Sequence, residues 1–201
     1  MSTPFATPIR RTFAAAAGAL MAVALVTGCA LQPAAPPQAP AARSLSAAFE
    51  LEGRLSATDG TRAASGRLAW AHAPGSDQWT LFNPLGQIAA QLVSTPRGAQ
   101  LRTADGRHAE ASHARELLPQ LVGVPVPLEG LSHWVQATTR EGARVLARDA
   151  VGRPARISDD GWLIDYVEYA DPAPAAPPRR IDAQWGDAQL RLVIDQWTPL
   201  P

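Results

Sequence analysis

Few residues in this chain of 201 are placed to do chemistry. The four histidines, His72, His108, His113 and His133, are dispersed, and none stands in a zinc-binding spacing such as HExxH. Gly130-x-Ser132-x-Trp134 begins like the elbow that exposes a nucleophilic serine, but it lacks the second glycine and falls in a helical pattern. Asp159-Asp160 reads as a turn before a strand, and Glu50 and Glu52 share a strand face that meets water. No Gly-rich phosphate loop is present. These residues give no catalytic constellation and imply neither a metal nor a cofactor. What remains is Cys29, the only cysteine, directly after Val26-Thr27-Gly28.

The context of Cys29 is that of a processed leader. Arg10 and Arg11 give a positive start, and Phe13 to Thr27 is uncharged and rich in Ala, Leu, Val and Met. That run is shorter than the roughly 20 apolar residues a transmembrane helix needs, but has the length of a signal-peptide core. An aliphatic residue, two small ones and a cysteine resemble the bacterial lipobox, in which the thiol receives a diacylglyceryl group and cleavage leaves the cysteine first. The expected organisation is a lipoprotein signal peptide over 1–28, a lipidated Cys29 with a Pro/Ala-rich tether over 29–48, and one domain over 49–201. Pro33, Pro36, Pro37 and Pro40 favour an extended tether, with a reach of roughly 50 Å or more. Ala30 and Leu31 follow the cysteine; the absence of Asp there resembles the outer-membrane class of lipoproteins.

The chain carries no net charge field: Lys+Arg and Asp+Glu number 18 each, which gives no electrostatic footprint for nucleic acid. Every basic residue is Arg, scattered along the chain. With no second thiol, a hydrophobic core must hold the fold without disulfides.

Periodicity sets the elements that carry these residues. Phe49-Glu50-Leu51-Glu52-Gly53-Arg54-Leu55 alternates as a half-buried strand does, and Ser65 to Ala71 repeats the pattern. Further strands are expected at 79–82, 87–93 and 99–103, with turn residues at Thr58-Asp59-Gly60, Pro74-Gly75-Ser76-Asp77, Pro96-Arg97-Gly98 and Asp105-Gly106. The period then becomes helical. Ser112 is the expected cap of a helix with Leu117, Leu118, Leu121 and Val122 on one stripe, ended by Gly123, and a second short helix carries Leu128, Leu131, Trp134 and Val135. Strands return at 155–158, 161–169, 180–185 and 188–197. This order suggests a mainly β (α+β) fold: one curved antiparallel sheet with short helices on one face.

Several of these stretches resemble the LolB family of outer-membrane lipoprotein receptors. They are Phe49-x-Leu51-x-Gly53-Arg54-Leu55, Gly66-x-Leu68-x-Trp70, Asn83-Pro84-Leu85-Gly86, Glu116-Leu117-Leu118, Gly123-Val124-Pro125-Val126-Pro127-Leu128, Leu131-x-x-Trp134, Gly161-Trp162-x-Ile164-x-Tyr166 and the segment Leu190 to Trp197. They stand in family order over about 49–197. Val135-Gln136-Ala137 and the proline-rich 171–178 loop depart from the pattern. The resemblance implies an incomplete β-barrel whose helices cover an apolar cavity. It also implies a monomer that accepts acylated lipoproteins from a LolA-like periplasmic carrier and passes them into the inner leaflet of the outer membrane. The other class left open is a structural or assembly-accessory lipoprotein of similar fold.

Each methylene taken out of water contributes about 0.8 kcal/mol, so three long acyl chains carry tens of kcal/mol and cannot exchange quickly through solvent. A receptor therefore needs a continuous apolar surface. Strand faces and helix stripes nominate Leu51, Leu55, Leu68, Trp70, Leu81, Ile88, Leu118, Leu121, Leu131, Trp134, Leu192 and Ile194 as its lining, or equally as a dry core. Asn83, the only Asn, opens a good turn whose tip is Leu85, where a polar residue is expected. In the LolB family a protruding leucine of this turn is implicated in delivery to the membrane, and Leu85 matches it.

Overall fold

The computed structural model describes residues 39–41, 43–124 and 128–201. The leader, Cys29, most of the tether and the Pro125-Val126-Pro127 segment lie outside the described residues. The described residues belong to one compact unit.

Eleven strands form one antiparallel sheet: β1 (Ala48–Thr58), β2 (Ala63–Ala73), β3 (Ser76–Phe82), β4 (Ile88–Thr95), β5 (Gly98–Thr103), β6 (His108–Ala111), β7 (Arg144–Arg148), β8 (Pro154–Asp159), β9 (Trp162–Tyr169), β10 (Pro178–Trp185) and β11 (Ala188–Leu200). The order is β6-β5-β4-β3-β2-β1-β11-β10-β9-β8-β7, so the first and last strands pair in the middle and the sheet stays open between β6 and β7. The segment joining those two edges carries α1 (Ala114–Val122) and α2 (Leu128–Trp134). α1 packs over β4, β5 and β6. The expected incomplete barrel with two short helices is what forms.

Strict alternation builds the inner face. Phe49, Leu51, Leu55 and Ala57 of β1 are buried while Glu50, Glu52, Arg54 and Ser56 face outward. The register shifts between Glu52 and Gly53, where a Cβ on Gly53 would stand 2.3 Å from the Val193 carbonyl oxygen. Only glycine allows β11 to approach so closely, and bulges of this kind bend a sheet toward closure. Further register shifts occur in β3–β4, β7–β8 and β9–β10.

Three local expectations are corrected. His113, not Ser112, caps α1, and the Glu116 carboxylate accepts the His113 backbone N–H at 3.1 Å. Asp77 belongs to β3 rather than to a turn, and is buried. The two edge strands, β6 and β7, have no counterpart in the sequence pattern.

The turns fall at two poles because neighbouring strands alternate in direction. One pole holds the turns at 59–62, 83–87, 104–107, 160–161 and 186–187; the other holds those at 74–75, 96–97, 149–153 and 170–177 and the start of β1. At this second pole the supposed tether does not run free to Ala48. The Ala41 N–H donates to the Gly152 carbonyl at 3.0 Å. The Arg43 guanidinium donates to the carbonyls of Gln136, Pro174 and Ala176, and lies 5.3 Å from the Tyr169 ring centroid. Gln136 in turn accepts from the Ser46 N–H at 2.7 Å and donates to the Ser46 carbonyl at 3.2 Å. Arg43 and Gln136 thus hold a docked arm against the domain.

Candidate functional site

Two features from the sequence can be built up here: the inner apolar face and the Asn83–Gly86 turn. Of the twelve nominated lining residues, eleven lie in a single buried cluster: Leu51, Leu55, Leu68, Trp70, Leu81, Leu118, Leu121, Leu131, Trp134, Leu192 and Ile194. Leu118 of α1 and Leu131 and Trp134 of α2 fill the concave side of the sheet.

Ile88 is the exception, at 52 % exposure. It pairs with Phe82, whereas Leu81 pairs with Ala90, so Ala89 is an extra residue and the register shifts. A bulge inserts one residue and reverses the face presented by its neighbours along the strand, which turns Ile88 outward beside Phe82. Ile88 is therefore removed from the inner set.

At the pole of the docked arm, the inner face is closed by aromatic rings. Phe49 stands 4.9 Å from Trp70, 4.4 Å from Trp197 and 4.9 Å from His72, and Trp70 stands 4.5 Å from Trp79. The Asp77 carboxylate accepts the Trp70 indole N–H at 2.9 Å and contacts His72 Nδ1 at 2.7 Å. A second buried carboxylate, Asp159, accepts the Trp134 indole N–H at 2.8 Å and pairs with Arg140 at 2.9 Å. Burying a carboxylate is costly unless it is hydrogen-bonded and paired. Here the pair ties α2 to the end of β8, so Asp159 is a structural anchor. Neither role was legible: both residues sit among turn-forming neighbours, and nothing in the sequence marks their indole partners.

The remaining polar candidates stay apart. Ser132 Oγ donates to the Glu129 carbonyl within α2. His133 Nδ1 meets Thr138 Oγ1 at 3.1 Å, and burial lowers its proton affinity below the ordinary value. His113 Nδ1 lies 3.4 Å from Glu116. No group of three or more metal-ligating side chains occurs among the described residues.

The Asn83–Gly86 turn is ordered by Asn83 itself. Asn83 Oδ1 accepts the backbone N–H groups of Leu85 and Gln87, each at 3.0 Å. The Gly86 N–H closes onto the Asn83 carbonyl at 2.9 Å, and the Asn83 N–H donates to the Gln87 carbonyl. Gly86 sits at φ 80°, a left-handed conformation glycine takes without steric cost. This network leaves Leu85 projecting at 85 % exposure. With Ile88 and the half-buried Phe82, it forms an apolar tip.

Comparison with known proteins bears on what this arrangement is. The family model described as "Outer membrane lipoprotein LolB" matches residues 47–197, from the docked arm's end to the last core strand. The chain belongs to the LolB family. An outer-membrane lipoprotein LolB from Azoarcus sp. (strain BH72) is 46 % identical over 190 residues, covering 94 % of this chain and 97 % of that one. Another from Dechloromonas aromatica (strain RCB) is 34 % identical, covering 90 % and 96 %. Among solved structures, a LolA superfamily protein from Nitrosomonas europaea aligns with a TM-score of 0.48 at 8 % identity, over 79 % of this chain and 89 % of its own. The family match spans both the inner apolar face and the Leu85 turn, so the two features lie within the LolB domain.

Proposed function

We propose that this chain is an outer-membrane lipoprotein, anchored through lipid on Cys29 and facing the periplasm. In this reading it takes acylated lipoproteins from a LolA-like carrier and inserts them into the inner leaflet. Its place in the LolB family supports the general role. The observation that carries the mechanism is a rigid turn holding Leu85 in water, at one pole of a domain whose concave face is lined mainly by apolar side chains. A leucine held this way gains by entering hydrocarbon, and the apolar face is the surface that acyl chains would share with the core.

Leu118 of α1 and Leu131 and Trp134 of α2 pack in the buried cluster of the concave face, so cargo chains enter by displacing the helices. Both helices are short. α1 contains Pro119, which donates no backbone hydrogen bond, and α2 contains Gly130, which weakens a helix interior by about 1 kcal/mol relative to Ala. Elements of low local stability are the ones that move. No nucleotide is needed if each transfer is downhill in affinity.

The test is transfer. The lipid-free domain from Pro37 onward is mixed with a carrier loaded with triacylated lipoprotein, and the cargo that co-purifies with it is measured. Stable capture without nucleotide is the expected result. A folded domain that captures none would favour the structural accessory role.

A further inference from the structure

Next to the Leu85 turn, the outer face of the sheet carries an unusual charge arrangement. Arg54 of β1 and Arg67 of β2 are directly opposite one another in the register. Like charges in that position destabilise a sheet. Arg54 is compensated by a two-point contact with Asp195, at 3.2 and 3.0 Å. Arg191, one step along on β11, is compensated by Asp182. Arg67 has no carboxylate within ion-pair distance among the described residues; its guanidinium lies over the Phe82 ring, 4.5 Å from the centroid. The three arginines line a cleft of about 510 Å³ together with Ser56, Ser65 and Asn83, Pro84 and Gly86 of the turn itself.

We infer that this cleft holds the phosphate of a phospholipid headgroup at the leaflet surface while Leu85 enters the hydrocarbon. The Arg67 guanidinium fork matches phosphate oxygens, and an anion held between it and the Arg54 edge not engaged by Asp195 offsets the repulsion between the two arginines. The depth fits. Arg67 pairs with Phe82, one residue before the Asn83–Gly86 turn that carries the tip, so the two are separated along the hairpin by roughly 3 Å of strand plus the depth of one turn. The headgroup layer is about 5–7 Å thick on each side of the hydrocarbon. A leucine just inside the hydrocarbon therefore sets Arg67 among the phosphates. An apolar tip beside basic residues is the usual composition of an interfacial anchor.

This inference rests on the membrane-delivery reading of Leu85, and the test separates the two. The full acylated chain, with an environment-sensitive fluorophore on Leu85→Cys, is reconstituted into vesicles of uncharged, phosphate-free galactolipid, with and without a third of phosphatidylglycerol. Insertion of the probe, read from its emission shift, is expected to rise with phosphatidylglycerol. In the Arg54→Gln/Arg67→Gln variant the gain is lost, with the inserted fraction falling by about thirtyfold, the factor for two basic residues at an anionic surface. A variant that folds normally and inserts as well as the parent would overturn the headgroup site while leaving Leu85 its role. If inorganic phosphate at constant ionic strength abolished the gain, the cleft would belong to free phosphate and the inference would fail. A parent probe that inserts into neither vesicle would sink both the headgroup site and the delivery reading.

Discussion

Replacing Leu85 separates delivery from folding more cleanly than any other change in this chain. Its side chain is 85 % exposed and makes no contribution to the buried cluster. An exposed substitution of this kind stays within about 0.5 kcal/mol. For a domain of this size that is roughly 2 °C in Tm. Entry into hydrocarbon is another matter. Full burial of a leucine side chain is worth about 1.5–3 kcal/mol, nearly all of it still to be gained at this exposure. Leu85→Ala should therefore cut insertion by about fortyfold at the midpoint of that range. Leu85→Glu adds the cost of placing a carboxylate at the membrane and should cut it by roughly a hundredfold or more. The assay has two arms: capture of cargo from a loaded carrier, and release of captured cargo into vesicles. Leu85→Glu should capture normally and fail to release. Equal loss in both arms, or a Tm drop above about 5 °C, would mean that Leu85 serves packing or cargo binding and the delivery reasoning is wrong.

Three further outcomes are expected from the packing. Leu118→Ala removes a fully buried side chain of α1 and should cost about 3–5 kcal/mol in urea denaturation, whereas Ile88→Ala, on the outward side of the bulge, should cost under about 1 kcal/mol. Arg43→Ala deletes the hydrogen bonds to Gln136, Pro174 and Ala176; limited proteolysis within residues 39–46 should accelerate, with the Tm of the sheet nearly unchanged. Burial holds His133 below its ordinary value of 6.5, only partly offset by the Asp159 carboxylate, so the unfolded chain takes up a proton first as the pH falls. Stability should drop as the pH goes below 6.5 and level off once the folded-state value is passed; His133→Gln should flatten that part of a Tm-against-pH curve.

The legible parts of this fold were those in which one face is buried and the other wet. β1 alternates without a break, and the apolar stripe of α1 named its buried residues from spacing alone. β6 and β7 escaped notice because edge strands are short and polar: His108–Ala111 has no fully buried residue, and Arg144–Arg148 has arginine at both ends. Spacing alone puts Ile88 on the inner face, because the one inserted residue that reverses it, Ala89, carries no mark in the sequence. The arm resembles free tether in its prolines and alanines. Arg43 docks to carbonyls on the far side of the sequence, and such pairings leave no local pattern. Leu85 was legible for the opposite reason: a large apolar residue at the tip of a well-formed turn conflicts with its surroundings.

The docked arm also fixes a length. Ala39 is held at the β7–β8 turn beside Gly152, the pole opposite Leu85, and an eleven-residue strand such as β1 measures roughly 36 Å from pole to pole. The chain from Cys29 to Ala39 covers about 31 Å when extended. With lipid on Cys29 as proposed and the arm docked, this leash barely matches the body it restrains, so Leu85 reaches the same leaflet most readily if the domain topples onto its side. Undocking residues 39–46 adds about 25 Å, enough for the domain to turn over and stand tip-down. If Cys29 carries the proposed lipid, Arg43 and Gln136 set how far the domain can swing about that anchor, although neither lies near Leu85.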